Sequence, residues 1–153
     1  MKRVLVLGIG NLLMQDDGVG VHVVRMLEKL DLPPGVEVVD GGTHSYDLLD
    51  YFSQADQCIV IDAMHAGGQP GTIYRVPLDE MDLKPNPNIA SLHELSFAEA
   101  MYMLNLQGYN PRVIVYGVEP HTVDLGLKLT PCVAGQLPKI VEMIQREIAA
   151  MLV

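Results

Sequence analysis

Acidic side chains follow three short apolar runs in this 153-residue sequence. Asp17 comes after the run at 4–7, Asp40 directly follows a second run, and Asp62 directly follows a third. His93 lies farther along, in the segment Ser-Leu-His-Glu-Leu. Carboxylate oxygens and an imidazole nitrogen form a ligand set that suits nickel, zinc, cobalt or iron without selecting one of them. The pattern therefore predicts a metal site with Asp17, Asp62 and His93 as candidate ligands.

Each candidate ligand also has a purely structural interpretation. Asp17 precedes Gly18 and could cap a helix that begins there, where the helix dipole favours an acid. His93 could be a hydrogen-bonded histidine at the start of a helix, which is the commoner role. Asp62 is harder to explain in this way, because an acid at the end of a buried strand costs free energy unless it is paired or functional. Three loop histidines stay open as further ligands: His44, His65 and His121.

The apolar patterning predicts the elements that position these side chains. Several runs read as buried, mostly parallel strands, at 4–7, 36–39, 58–61, 72–76 and 113–118. Apolar residues at helical spacing predict helices at 21–30, 46–52, 95–106 and from Thr130-Pro131 onward. A long loop is expected over 78–92. The predicted fold is α/β, a single domain over 1–153, built as a three-layer sandwich with helices on both faces of a twisted, mostly parallel sheet.

The position of the acids within this predicted sheet is informative. In open parallel sheets the functional groups gather beyond the carboxyl ends of the strands, near the point where the strand order reverses. Asp17 and Asp62 follow the first and third strands, which are neighbours in the common flavodoxin-like order. We therefore expect these two carboxylates at the same edge of the sheet, with Glu119 after the last strand.

Composition narrows the classes of partner. Ten Lys and Arg residues against nineteen Asp and Glu residues give a net charge of -9, which repels nucleic acid and anionic membranes. Two cysteines, Cys58 and Cys132, are too few for a disulfide framework or a Cys-rich zinc site. No apolar stretch approaches the roughly 20 residues that a membrane-spanning helix needs. We expect a soluble, cytoplasmic protein with neither nucleic acid nor membrane as a partner.

Two familiar kinds of site do not fit the sequence. Gly8 and Gly10 begin a dinucleotide-binding pattern, but Leu13 stands where the third glycine belongs, and Asp16 and Asp17 would repel a pyrophosphate. The sequence has no Gly-x-Ser-x-Gly nucleophile elbow, no His-Glu-x-x-His helix and no cysteine with a base beside it. A conventional hydrolase site is therefore not derivable from the residues alone.

A series of short motifs resembles one known family from end to end. In order they are Gly8-Ile9-Gly10-Asn11, Asp16-Asp17-Gly18-Val19-Gly20, Asp40-Gly41-Gly42-Thr43, Ile61-Asp62-Ala63, Pro70-Gly71-Thr72, His93-Glu94-Leu95, Gly117-Val118-Glu119-Pro120 and Leu129-Thr130-Pro131. Each motif alone is weak, but their order and spacing are similar to those of the hydrogenase maturation proteases. The resemblance implies an endopeptidase that removes the C-terminal extension of a [NiFe]-hydrogenase large-subunit precursor after nickel insertion.

The resemblance also implies roles for individual residues. The nickel ligands carry over to Asp17, Asp62 and His93, with Asp16 as the neighbouring acid in the first loop. The ion is nickel supplied with the precursor, although other divalent metals suit the same ligands. As a hypothesis, the catalytic groups of this aspartyl-type chemistry are Asp17, Asp62 and Asp40, with Asp40 as the base. The residues that contact the substrate backbone are Gly41, Gly42 and Thr43. The alternative is a non-catalytic, nickel-sensing docking module for the same precursor.

Overall fold

The computed structural model describes residues 2–42, 48–80 and 101–153 of the chain. The described strands form one sheet in the order β2-β1-β3-β5-β4. Four strands run parallel to one another: β1 (Val4–Ile9), β2 (Val36–Gly42), β3 (Gln57–Ala63) and β5 (Arg112–Val118). The fifth, β4 (Ile73–Pro77), runs antiparallel to β5 at one edge. The predicted pairing of the first and third strands is confirmed.

Helices cover both faces of the sheet. The described helices are α1 (Val19–Glu28), α2 (Leu48–Ser53), α3 (101–106), α4 (Pro131–Ala134) and α5 (Leu137–Leu152). Two short 3-10 helices cover Gln15–Gly18 and Leu78–Glu80. One apolar core packs α1 and α5 against the sheet, and a second packs Phe52, Met101 and Leu104 against the opposite face. The predicted three-layer α/β sandwich is therefore confirmed.

The side chains of β1 alternate between the two apolar cores. Val4 and Val6 belong to the core under α1 and α5, whereas Leu5, Leu7 and Ile9 belong to the other core. All of β1 is buried because successive side chains of a strand point to opposite faces, and both faces of this sheet are covered. A continuous apolar run is therefore the expected sequence of such a strand.

In the C-terminal region the sequence predicts a helix start near Thr130-Pro131 and, at Pro138, either a kink or a later helix start. Thr130 is the N-cap of α4 and Pro131 lies in its first turn, as the sequence indicated. The helix ends at Ala134, and α5 then begins at Leu137 with Pro138 in its first turn. Proline fits there because it lacks the N–H that helix interiors need. Pro138 therefore marks a second start instead of a kink.

A polar triad fastens α5 to the antiparallel edge of the sheet. Glu147 Oε1 accepts hydrogen bonds from Arg75 Nε at 2.6 Å and from the Tyr116 hydroxyl at 3.0 Å. Burial and the hydrogen bond to Glu147 raise the pKa of Tyr116 to about 12. The phenol therefore stays protonated and keeps donating to the carboxylate.

No helix in the described part of the chain is long and apolar enough to cross a membrane. The cytoplasmic location expected from the sequence stays a prediction.

Candidate active site

The carboxyl ends of β1, β3 and β5 place four acidic residues along one edge of the sheet. Asp16 and Asp17 lie in the 3-10 helix that follows β1 and packs against β3. Asp62 is the penultimate residue of β3 and pairs in register with Gly117 of β5. Glu119 directly follows β5. The topology therefore brings together acids that are far apart in the sequence.

Glycines allow the loop after β1 to lie close against the strand ends. A Cβ at Gly20 would sit 2.1 Å from the carbonyl oxygen of Ile61 and 2.5 Å from that of Ile9. Gly10 has a φ of 141°, and a Cβ there would sit 2.1 Å from the carbonyl oxygen of Asp17. Side chains at these positions would push α1 and the acidic turn away from β1 and β3. The glycine pattern of this region is thus explained by close packing.

Asp17 is half-buried and faces back toward the end of β1. Its Oδ2 accepts a hydrogen bond from the backbone N–H of Asn11 at 3.2 Å. The N-cap of α1 is Gly18, so Asp17 is not the N-cap of that helix. The Asp17 carboxylate instead contacts the backbone of the loop after β1. Asp17 therefore lies beyond the carboxyl end of β1, at the position that the sequence predicted.

Asp62 is buried, with 8% of its surface exposed, at the end of the central strand β3. Its Oδ1 accepts the backbone N–H of Ala63 at 2.8 Å. Asp17 and Asp62 thus lie beyond the carboxyl ends of adjacent strands, where the sequence placed them. Their roles as ligands or catalytic groups stay predictions.

Asp16 has a different role from its neighbour. It is fully buried, and its oxygens accept hydrogen bonds from the backbone N–H groups of His121, Thr122 and Thr130 at 2.9, 3.0 and 2.8 Å. The Thr130 hydroxyl adds a bond of 2.6 Å. Burial alone would raise the pKa of this carboxyl, but the hydrogen bonds from Thr130, Thr122 and His121 lower it overall. With its oxygens committed to the chain, Asp16 anchors the 121–130 segment, and Asp17 remains the first-loop ligand candidate.

The carboxylate of Glu119 likewise accepts hydrogen bonds from the surrounding chain. Its Oε1 accepts hydrogen bonds from Ala66 N–H at 2.8 Å, from Gly68 N–H at 3.0 Å and from the Tyr74 hydroxyl at 2.8 Å. Burial opposes ionisation, yet these bonds bring the pKa of Glu119 below its ordinary value. Glu119 therefore holds the loop after β3 in place.

The described residues of the predicted substrate-binding segment lie at the carboxyl end of β2, which pairs with β1. Asp40 of β2 is exposed, pairs in register with Gly8, and accepts the Gly42 N–H on its Oδ1 at 3.0 Å. Gly42 has a φ of 50°, and its carbonyl accepts the Gly10 N–H at 3.0 Å. Gly41 lies between them in β2, the outermost described strand on this side of the sheet. The assigned roles of Asp40, Gly41 and Gly42 stay predictions.

Three residues from the sequence predictions lie outside the described residues: Thr43, His44 and His93. Within the described ranges, no group of three or more His, Cys, Asp and Glu side chains is arranged to hold a metal ion. The described ligand candidates therefore form only part of the predicted set, which includes His93.

Of the other histidines, His121 lies beside the same edge. It lines a cavity of about 470 Å³ with Thr130 and Cys132, and its Nδ1 is 2.8 Å from the Thr122 hydroxyl. His22 of α1 is half-buried, and its burial together with the nearby charge of Arg25 lowers its pKa.

Comparison with known proteins decides the family. The profile of the hydrogenase maturation protease family matches residues 21–147, which is most of the chain. The chain belongs to the hydrogenase maturation protease family. The HupD hydrogenase expression/formation protein of Rhodobacter capsulatus is 39% identical over 152 residues, covering 97% of this chain and 72% of that protein. The hydrogenase 2 maturation protease of Escherichia coli (strain K12) is 34% identical over 145 residues, covering 93% and 88%.

Solved structures of maturation proteases share the fold. The hydrogenase maturating endopeptidase HybD from E. coli superposes with a TM-score of 0.86 at 32% identity, covering 93% of this chain and 89% of that one. Membership in the family makes this chain a peptidase, so the predicted enzyme class is confirmed. This maturation protease therefore cleaves peptide bonds without a conventional nucleophile motif in its sequence.

The structural roles of Asp16 and Glu119 were not found by sequence reasoning. Both were grouped with the other acids of the edge, because sequence position cannot show which carboxylates are occupied. The local sequence signal for the Asp16 contact was the Leu-Thr-Pro segment at 129–131. A threonine that precedes a helix-starting proline often forms hydrogen bonds with nearby polar groups.

Proposed function

We propose that this maturation protease removes the C-terminal extension of a [NiFe]-hydrogenase large-subunit precursor after nickel has been inserted. The proposal is supported mainly by the placement of Asp17 and Asp62 beyond the ends of the adjacent strands β1 and β3. Asp16 and Glu119, the other acids of this edge, are bound by backbone and hydroxyl donors. We assign the carboxylate ligands of the metal-dependent reaction to Asp17 and Asp62.

Nickel enters this scheme as part of the substrate. Two carboxylates and one imidazole form an incomplete coordination shell, which binds a free ion modestly but completes the shell of an ion already held by precursor thiolates. Asp17, Asp62 and His93 are the proposed ligands. A precursor without nickel lacks the bridging ion and is not held in position, so the metal reports that assembly is complete.

The scissile peptide is proposed to lie along the outer edge of β2, near its carboxyl end. Strand β2 is the outermost described strand on this side, and an extended peptide can add to such an edge through main-chain hydrogen bonds. Gly41 and Gly42 offer backbone groups without side chains in the way, and Thr43 follows them. Asp40, which is exposed, is the proposed base that takes a proton from the attacking water.

The test is mass spectrometry of a large-subunit precursor incubated with this protease, once loaded with nickel and once empty. Loss of a C-terminal peptide from the loaded precursor alone is the expected result. Trimming of both precursors would remove the nickel gate from the proposal. A precursor that binds in the loaded form and stays intact would instead indicate the non-catalytic docking role.

Variants test the ligands in the same assay. Asp62→Asn and His93→Ala are expected to abolish trimming, whereas Asp31→Asn, an exposed acid just after α1, serves as the matched control. Normal trimming by either ligand variant would rule out that residue as a ligand.

A further inference from the structure

Three exposed leucines lie beside the candidate site on two segments that are held together. Leu13, Leu125 and Leu127 have 56%, 83% and 68% of their surfaces exposed. Leu13 belongs to the loop after β1, and the other two flank Gly126 in the segment after β5. These residues are called the leucine patch below.

Backbone hydrogen bonds join the two segments of the patch. Gly126 N–H donates to the Leu13 carbonyl at 2.8 Å, and Gln15 N–H donates to the Gly126 carbonyl at 2.9 Å, which forms a parallel bridge between Met14 and Gly126. The three exposed leucines are therefore carried by two backbone segments that are hydrogen-bonded to each other.

The bridge includes a backbone conformation that costs free energy to form. Gln15 has a φ of 46°, a left-handed conformation that non-glycine residues rarely adopt. Such conformations persist where surrounding contacts impose them, and here the next residue is Asp16, whose four bonds anchor the 121–130 segment. The patch is thus built on an anchored support, not on a free loop.

The patch is continuous with the proposed catalytic edge. Asn11 Oδ1 accepts the Leu13 N–H at 2.9 Å, and Asn11 N–H donates to Asp17 Oδ2 at 3.2 Å. One short loop therefore carries both an exposed leucine and a proposed nickel ligand. A peptidase that acts on another protein must hold that protein next to its reacting groups, and burial of exposed apolar surface is the dominant favourable contribution to most protein–protein association.

We infer that the leucine patch is the docking surface for apolar side chains of the hydrogenase large-subunit precursor, next to the bond that is cut. The inference rests on the proposed function for the identity of the occupant. Desolvation of the three leucines against the precursor provides affinity, and their rigid link to Asp17 places the nickel-bearing region of the precursor at the carboxylates.

The test compares two triple variants of the full protein. The first replaces the patch, Leu13→Ser, Leu125→Ser and Leu127→Ser. The matched control replaces three exposed apolar residues near the opposite edge of the sheet, Tyr102→Ser, Leu106→Ser and Tyr109→Ser, which are 65%, 70% and 45% exposed. Urea unfolding checks both for folding, and the single Leu125→Ser replaces the first set if it does not fold.

The measurements are the Kd of the nickel-loaded precursor by surface plasmon resonance and the KM and kcat of trimming. We expect the patch variant to raise Kd and KM at least about tenfold, equivalent to about 1.4 kcal/mol, with kcat changed less than about twofold. Unchanged Kd and KM, or an equal rise in the control, would overturn the docking surface while leaving the proposed function intact.

The remaining outcomes separate the two proposals. Binding without trimming by the unsubstituted protein would reject the proposed function, and the Kd of the patch variant would still decide the docking surface. An unsubstituted protein that neither binds nor trims the precursor rejects both. A dimer in gel filtration that dissociates in the patch variant would make a second copy of the chain the occupant and overturn the precursor as partner.

Discussion

The carboxylate of Asp16 receives two hydrogen bonds from Thr130, at 2.8 Å from its backbone N–H and at 2.6 Å from its hydroxyl, across 114 residues of sequence. This contact joins the loop after β1 to the residue that caps α4. Because the adjacent Asp17 is a proposed nickel ligand, the same contact determines where that ligand sits. Asp16 is therefore a positioning residue for the edge.

Replacement of Asp16 should destabilise the fold. Asp16→Asn exchanges an oxygen for an NH₂ group that faces donors, and hydrogen bonds to a buried charge contribute about 1.5–3 kcal/mol each. We expect a loss of about 2–4 kcal/mol in the free energy of unfolding, measured by urea denaturation at neutral pH. Asp124→Asn, an exposed acid in the segment that Asp16 anchors, is the control and should change it by less than about 0.5 kcal/mol.

Stability should fall in acid because of Asp16 and Glu119. Hydrogen bonds to both carboxylates lower their pKa values in the folded state, so their contribution is complete above the unfolded pKa values of about 4. It is lost as the pH falls through the lower, folded-state pKa values. Urea denaturation between pH 7 and pH 2.5 should show this loss, and the loss should be smaller in Asp16→Asn. If Asp16→Asn lost as much unfolding free energy between pH 7 and pH 2.5 as the parent protein does, Asp16 would not be a source of the acid sensitivity.

Activity should depend on Asp17 and Asp62 more than stability does. Asp17→Asn and Asp62→Asn keep the side-chain shape and remove the charge, so we expect trimming of loaded precursor to fall at least about 100-fold. Melting temperatures should stay within a few degrees, because the amide oxygen of Asn can still accept the backbone N–H of Asn11 at position 17 and of Ala63 at position 62. Initial rates and thermal melts of the two variants and Asp31→Asn provide the comparison.

The close packing of α1 against β1 and β3 predicts that Gly20 does not tolerate replacement by a larger residue. A Cβ there would lie 2.1 Å from the carbonyl oxygen of Ile61, so Gly20→Ala must displace α1 from β1 and β3. We expect a loss of more than about 2 kcal/mol in unfolding free energy. Gly135→Ala is the control, since Gly135 has an ordinary helical φ of -64° and a Cβ contact of 3.2 Å. Similar stabilities of the two variants would argue against the close approach.

Much of the fold was predictable from the sequence because its signals are local. Apolar runs at 4–7, 58–61 and 113–118 coincide with β1, β3 and β5, and the helical period at 21–30 coincides with most of α1. Thr130-Pro131 indicated a helix start that is confirmed. Pro138 predicted either a kink or a later helix start, and the structure shows the later start. Local preference does not decide between these two outcomes, because the choice depends on where α4 ends.

Sequence alone determined the family, the parallel α/β architecture and the prediction that Asp17 and Asp62 share one edge, because residue type and strand order suffice for those conclusions. Only the tertiary structure decided that donors from distant parts of the chain hold Asp16 and Glu119, and which apolar residues stay exposed. Asp16 and Asp17 are neighbours of the same type, yet one is bound by donors more than a hundred residues away and the other borders the site. A carboxylate's function depends on the donors around it, and long-range folding brings those donors to it.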